Sequence, residues 1–213
     1  MKPLERALNG AAASAGLIVL SPLFAIAALT IKCDDGGPVF YSQRRIGQGL
    51  RTFRLLKFRS MIVHAERDGL LTGPCDRRVT RAGRILRRYK LDELPQLWNV
   101  LMGDMQLVGS RPEVEAYVRM FPEEYGVLLS EPPGITDPAS LAYRHEEKLF
   151  APGEVERQYV AEILPDKLKL SLEYQRRRTL SSDIRVLVAT LLALYERTPI
   201  PRSRTNPLHL FRR

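Results

Sequence analysis

The chain has 213 residues, enough to bury a hydrophobic core without a disulfide or metal staple. Hydrophobic residues make up 45% and charged residues 27%, which excludes a disordered or collagen-like chain, and 33 Lys and Arg against 24 Asp and Glu leave a net charge of +9. Cys33 and Cys75 cannot build a disulfide framework, and three separated histidines (His64, His145, His209) do not make a zinc cluster.

Twenty-six of the basic residues are Arg and seven are Lys, and Arg is the side chain suited to bidentate phosphate contacts. The charge falls in blocks: net +11 over residues 41–90, −8 over 113–166 and +8 over 167–213. Such blocks point to one face built for phosphates or anionic lipid.

In chain order, residues 7–31 come first, 25 consecutive positions without a charge. As a straight helix this run would be ~37 Å long, more than the ~30 Å hydrocarbon core of a bilayer. A spanning helix is one reading, but Ser21-Pro22 interrupts the hydrogen-bond ladder just past the middle. Positive residues also flank both ends, Lys2 and Arg6 before and Lys32, Arg44 and Arg45 after, whereas a spanning helix carries a one-sided bias. A helix bent at Ser21-Pro22 that enters and leaves one leaflet is the second reading, with Ser21 satisfying backbone groups freed by Pro22. A signal peptide ending at Ala25-Ile26-Ala27 is the third, weakened by the apolar run continuing through Ile31. From the residues alone all three stay open.

Residues 39–58 alternate around Gly47-Gln48-Gly49 and predict a β-hairpin; this Gly-x-Gly lacks the Lys-Ser/Thr of a phosphate loop. Residues 80–90 predict a basic helix with Arg81, Arg84 and Arg88 on one face and Arg87 beside them. Asp92 then reads as a helix N-cap with Glu93 and Pro95 in the first turn. After the break at Pro132-Pro133-Gly134, residues 146–149 and 154–164 read as exposed acidic helices. Asp183 opens an apolar helix, as an N-cap or a site residue, whose uncharged stretch 186–195 is too short to span a membrane. The tail after Thr198, with three prolines, is expected to be loosely ordered.

The segment Leu91-Asp92-Glu93-Leu94-Pro95-Gln96-Leu97-Trp98-Asn99-Val100 carries the chemistry. Capping alone explains an acid pair at a helix start. Together with Arg87 and with Lys57 and Arg111 from other short motifs, the pair suits phosphate chemistry. Arg and helix amides hold phosphoryl oxygens, Mg²⁺ takes carboxylate oxygens, and one carboxylate can act as nucleophile.

At these residues the chain resembles the bacterial sugar transferases, the small monotopic phosphoglycosyl transferases. The likeness runs in order through Leu20-Ser21-Pro22-Leu23, Gly37-Pro38-Val39-Phe40-Tyr41-Ser42-Gln43-Arg44-Arg45-Ile46-Gly47 and Lys57-Phe58-Arg59-Ser60-Met61. It continues through Leu91-Asp92-Glu93-Leu94-Pro95-Gln96, Leu107-Val108-Gly109-Ser110-Arg111-Pro112-Glu113, Pro133-Gly134-Ile135-Thr136 and Asp183-Ile184. Two places depart: many relatives read Gly-Pro-Arg-Pro at 109–112, and Asp137 replaces a common glycine after Thr136.

The resemblance implies a mainly α fold with a small β-hairpin (α+β). It divides the chain into a re-entrant membrane helix-break-helix at 1–36, a cytosolic catalytic domain at 37–198 and a basic tail at 199–213. It implies transfer of a sugar 1-phosphate from a UDP-sugar to polyprenol (undecaprenyl) phosphate, with release of UMP. The setting would be the cytoplasmic face of the bacterial inner membrane, as the first membrane step of a glycoconjugate or exopolysaccharide. Asp92 would be the nucleophile, Glu93 with Asp92 would hold Mg²⁺, and Lys57, Arg59, Arg87, Arg111 and Asp183 would form the polar site. Membrane lipid is an implied partner, a homo-oligomer is compatible with it, and nucleic acid is not expected. The rival class is a non-enzymatic basic adaptor on the membrane surface, in which Asp92 and Glu93 only cap a helix.

Overall fold

The computed structural model describes residues 3–65, 69, 71–74, 76–151 and 153–194. The expected tail at 199–213 lies outside the described residues. The chain begins with α1 (Pro3–Val19) and α2 (Ser21–Asp35), which meet at an angle of 60°. Proline has no N–H to give to the carbonyl four residues back, which here belongs to Ile18. The Ser21 hydroxyl donates to that same oxygen at 2.8 Å, so the break leaves no unsatisfied carbonyl there. Among the described residues no single helix is long and apolar enough to cross a membrane, but this bent pair together meets the length and composition of one.

The expected hairpin follows as β1 (Phe40–Ile46) and β2 (Thr52–Phe58), antiparallel, with Phe40 opposite Phe58 and Ile46 opposite Thr52. Next come α3 (Arg81–Arg88), a 3₁₀ turn (Leu91–Glu93), α4 (Gln96–Met102) and β3 (Gln106–Val108). Short helices α5 (Glu115–Val118) and α6 (Pro122–Leu128) lead to β4 (Gly134–Thr136) and α7 (Pro138–Ala142). The chain ends in α8 (Val155–Gln158), α9 (Leu164–Arg177) and α10 (Leu180–Ala193). A mostly helical α+β architecture is therefore observed.

Two local readings of the sequence need correction. Residues 154–164 are not an exposed acidic helix: α8 runs through a π turn (Tyr159–Ile163) into α9, and Tyr159 and Ile163 are buried in the core with Tyr117, Tyr125 and Leu128. Residues 146–148 form only a 3₁₀ turn. A second sheet was not foreseen. β3 and β4 pair in parallel, Gln106 with Gly134 and Val108 with Thr136, across 25 intervening residues that no local periodicity links.

The bent pair is packed into the rest of the fold. α1 lies along α4, where Gly16 faces Leu97, and Ala13 is buried with Leu55, Val100 and Met105. α2 buries Ala27 and Ile31 against Phe58, Ala82 and Leu86. Close approach at α3 depends on Gly83, where an added Cβ would sit 1.9 Å from the Ser60 carbonyl oxygen. Gly83→Ala should therefore cost about 3 kcal/mol of stability. Gly10→Ala, where nothing lies within 4 Å of an added Cβ, should be neutral or slightly stabilising. Denaturant unfolding of the purified protein checks both.

Candidate active site

The helix α3 starts on Thr80, whose side chain accepts the Gly83 N–H, and ends at Arg88; two residues on, Lys90 turns left-handed at φ 55°. A non-glycine residue in that region is uncommon and needs its surroundings to hold it. The turn redirects the chain so that Leu91–Glu93 forms a 3₁₀ turn ahead of α4. The N-cap of α4 is Pro95, so Asp92 is not the cap that the sequence suggested. Its side chain caps nothing: it is 6% exposed and its Oδ1 has no hydrogen-bond partner. Behind it, Asn99 on α4 accepts the Leu56 N–H at 3.0 Å and donates to the Arg54 carbonyl at 2.8 Å, which fixes α4 to the backbone of β2.

Glu93 points to the cations. Arg111 grips it with both terminal nitrogens, Nη2 to Oε1 at 2.5 Å and Nη1 to Oε2 at 3.1 Å, and Lys57 Nζ lies 3.4 Å from Oε1. Burial opposes the charge on Glu93, but Arg111 and Lys57 outweigh it and hold the carboxyl well below its usual range. Asp92 moves the other way: burial and then the neighbouring Glu93 charge raise its pKa, with Lys57, Lys90 and Arg87 opposing. Burial draws Lys57 down to about 8 although Glu93 works against the shift. The two adjacent carboxylates thus have separate electrostatic identities.

All of these groups line a cavity of about 1440 Å³. Arg87 lines it too, donating to Thr72 Oγ1 at 2.8 Å. Arg59 is on its wall, but its guanidinium is engaged by Asp35 and by the Pro38 carbonyl. Asp183 does not line this cavity. It is not a cap either: Thr179 is, and its side chain and that of Ser182 form a reciprocal capping box. Asp183 accepts from Tyr174 at 2.6 Å and from Arg178, whose Nη2 also reaches Gln106 at 3.0 Å, so it ties the α9–α10 corner to the β3–β4 sheet.

That sheet delivers Arg111. Gly109 N–H donates to Thr136 O and Gly134 N–H to Ser110 O, both at 2.9 Å, and an added Cβ on Gly134 would lie 2.1 Å from Gly109 N. Ser110 contributes to this pairing through its carbonyl.

Glu113 was not singled out by sequence reasoning, although it closes the motif that carries Arg111. It is buried, accepts from Arg45 Nη1 and from Tyr159 Oη at 2.8 Å each, and anchors the segment just after Arg111. The π turn that places Tyr159 could not be read from spacing. Burial works against ionisation of Glu113, but Arg45, Lys167 and the Tyr159 hydrogen bond keep its pKa lowered.

Residues 1–197 match the family model described as bacterial sugar transferase. A UDP-glucose:undecaprenyl-phosphate glucose-1-phosphate transferase of Caulobacter vibrioides is 35% identical over 197 residues, 89% of this chain and 69% of that protein. The exopolysaccharide production protein ExoY of Rhizobium meliloti is 34% identical over 73% of this chain and 76% of its own length. A UDP-N-acetylgalactosamine-undecaprenyl-phosphate N-acetylgalactosaminephosphotransferase of Aeromonas hydrophila is 43% identical over 122 residues, and the chain spans only 29% of that relative's length.

The Glu113 network gives a pH dependence. A carboxyl whose folded pKa is below its ordinary 4.5 contributes stability above that value and loses it as pH falls through the folded pKa. Glu113→Gln should therefore lower stability by about 3 kcal/mol near neutral pH. It should also flatten the loss of stability between about pH 5 and pH 3, read from thermal unfolding across that range. An unchanged acid slope in the variant would contradict this assignment.

Proposed function

The chain belongs to the bacterial sugar transferase family, and we propose that it moves a sugar 1-phosphate from a UDP-sugar to undecaprenyl phosphate, with UMP as the other product. The observation that carries this reading is the buried Asp92, free at Oδ1 beside a Glu93 already neutralised by Arg111 and Lys57. In the adaptor reading the acid pair caps a helix, and the absence of any cap bond from Asp92 disfavours that role.

Asp92 attacks the sugar-bearing phosphorus of the diphosphate. The bond to the bridging oxygen breaks, UMP leaves with that oxygen, and the sugar phosphate stays on the carboxylate. An oxygen of polyprenol phosphate then attacks the same phosphorus and frees Asp92. Lys57, Arg87 and Arg111 stabilise the phosphoryl oxygens as charge develops. Lys90, opposing the rise in the Asp92 pKa, favours the ionised nucleophile.

Mg²⁺ fits this donor set. Among the described residues no three His, Cys, Asp or Glu side chains cluster around one point, but Mg²⁺ is commonly held by one or two carboxylates plus substrate phosphates. Asp92 and Glu93 would hold it: the Asp92 carboxylate, unpartnered at Oδ1, has a second oxygen for the ion besides the one that attacks phosphorus. Bound there, the ion supplies charge neutralisation for the diphosphate.

The bent α1–α2 pair is read as re-entrant, with both ends on the cytoplasmic face. The 60° bend and the Ser21 hydrogen bond to Ile18 support this, because a break in the apolar layer requires its carbonyls to be satisfied. The pair thus anchors the remainder of the chain to one leaflet as a monotopic protein.

Two tests follow. In single-cysteine variants labelled at position 4 or at Cys33, both sites should react from the cytoplasmic side, and Pro22→Ala should straighten the pair and move position 4 across. Labelling of the position-4 cysteine from the far side alone, with Pro22 in place, would make the helix spanning. Asp92→Asn should stay folded and membrane-bound while turnover falls by about 10³-fold or more. Intact mass after incubation with UDP-sugar and Mg²⁺, without acceptor, should show a sugar-phosphate adduct that Asp92→Asn lacks. Substantial turnover by a folded Asp92→Asn protein would overturn the mechanism.

A further inference from the structure

We propose that Asp35 and Arg59, with Asp34 beside them, form a positioning clasp that sets the depth of the catalytic carboxylates against the membrane segment. Arg59 then acts through the clasp and not as a phosphate ligand. This rests on the proposed function and adds a role to residues outside its reacting groups.

Asp34 and Asp35 are the last two residues of α2, where the apolar segment hands over to the rest of the chain. The Asp35 carboxylate takes the Arg59 fork end-on, Oδ2 from Nη1 at 2.5 Å and Oδ1 from Nη2. Arg59 also donates from Nε to the Pro38 carbonyl at 2.5 Å and from Nη1 to the Met61 carbonyl at 3.4 Å. A guanidinium with these four bonds has its planar fork turned to Asp35 and away from any incoming phosphate. Gly37 leaves the room this needs, since a Cβ there would lie 2.7 Å from Nη2. The Gly37 N–H in turn donates to Asp35 Oδ1 at 3.1 Å.

Asp34 makes the second attachment. Its Oδ2 accepts the Ala82 N–H at 2.9 Å, one of the first-turn amides that α3 leaves unpaired, while Thr80 takes the next one from Gly83. The elements gripped by these two carboxylates are those that carry the site. Arg59 follows Lys57 by two residues, α3 carries Arg87, and Leu91 and Leu94, which flank the acid pair, pack against the cluster of Ala27, Ile31 and Phe58. Edge-on contact of Phe24 with Phe58, ring centroids 5.0 Å apart, adds apolar stiffness on the same side. The end of the membrane segment and the catalytic turn are thus held as one body. A donor that diffuses in from water needs only an intact cavity. An acceptor phosphate fixed to a lipid must also meet the nucleophile at the right height, so the clasp bears on the second displacement.

The test uses the full chain in vesicles containing undecaprenyl phosphate, with Asp35→Asn, Arg59→Gln and the exchange Asp35→Arg with Arg59→Asp. Two steps are read separately: the burst of UMP without acceptor, and steady-state transfer to the lipid. Trp98, the one tryptophan of the sequence and half exposed on α4, reports depth through quenching by brominated lipids. Both single variants should keep the burst within about twofold and lose about tenfold in lipid transfer with a raised KM for the lipid. Their Trp98 quenching should shift, and the exchange variant should recover a large part of both. Should a single variant fail to fold, Arg59→Lys, which keeps the charge and loses the fork, is read in the same way. Loss of the burst in Arg59→Gln with an unaffected Asp35→Asn would make Arg59 a phosphate ligand and overturn the clasp. Equal loss of both steps with unshifted quenching would also overturn it. If the unaltered protein gives no burst with any UDP-sugar, the proposed function falls, and the clasp stands or falls on the quenching shift and its recovery by exchange.

Discussion

Two neighbouring carboxylates buried in one turn repel each other and lose their hydration, and the fold answers by pairing one of them. Arg111 and Lys57 converge on Glu93, so its charge is balanced inside the cavity, and Asp92 keeps an oxygen to which nothing is bound. A buried ion pair is costly to assemble and worth keeping only when its geometry is complete. That requirement explains the supporting structure: Lys57 needs β2 held by Asn99, and Arg111 needs the short parallel sheet and the Glu113 anchor behind it. Burial and the Glu93 charge raise the pKa of Asp92, while Lys57, Lys90 and Arg87 oppose the rise and favour its ionised form.

Much of this arrangement was legible in the sequence where the signal is local. Alternation around Gly47-Gln48-Gly49 marks the hairpin, Thr80 marks the start of α3, and Ser21-Pro22 marks the bend, because each depends on a few adjacent residues. The site was legible as a set of residue types, and Lys57, Arg87, Asp92, Glu93 and Arg111 do line one cavity. What was not legible depends on distant contacts. Asp92 looks like a cap because Asp before an apolar run usually is one; the left-handed Lys90 changes that, and no residue type announces it. Arg59 and Asp183 sit in family-like motifs, yet their partners are other side chains of the fold, Asp35 in one case and Arg178 in the other. The buried side of residues 155–163 was hidden by a π turn, which shifts the helical period within an otherwise acidic segment.

The N-terminal helices have two surfaces with different tasks. Leu4, Leu8, Ile18, Val19, Ile26 and Leu29 are largely exposed, while Ala13, Ala27 and Ile31 are buried against α4, β2 and α3. Ala13 and Ala27 on the inner side allow close packing and Ile31 fills the space against Phe58 and Leu86, while the outer side carries a row of large apolar side chains. The charge blocks follow the same division of labour. The basic block at 41–90 supplies Lys57, Arg87 and Lys90 to the cavity, with Arg111 added from outside it, whereas the acidic block at 113–166 supplies Glu113 and Glu146, which pair with Arg45 and Lys167.

The parallel pairing of β3 with β4 has a consequence in time. Glu93 and its Lys57 partner are made early, but the backbone that aims Arg111 is not fixed until residues 134–136 exist to pair with it. Non-local pairing of this kind forms late in folding. During synthesis α1 and α2 are complete while the acid pair still lacks its guanidinium, so the N-terminal helices exist before the cavity is assembled. A chain interrupted between residues 111 and 134 would have the bent helix pair and the acid pair without the strand that aims Arg111.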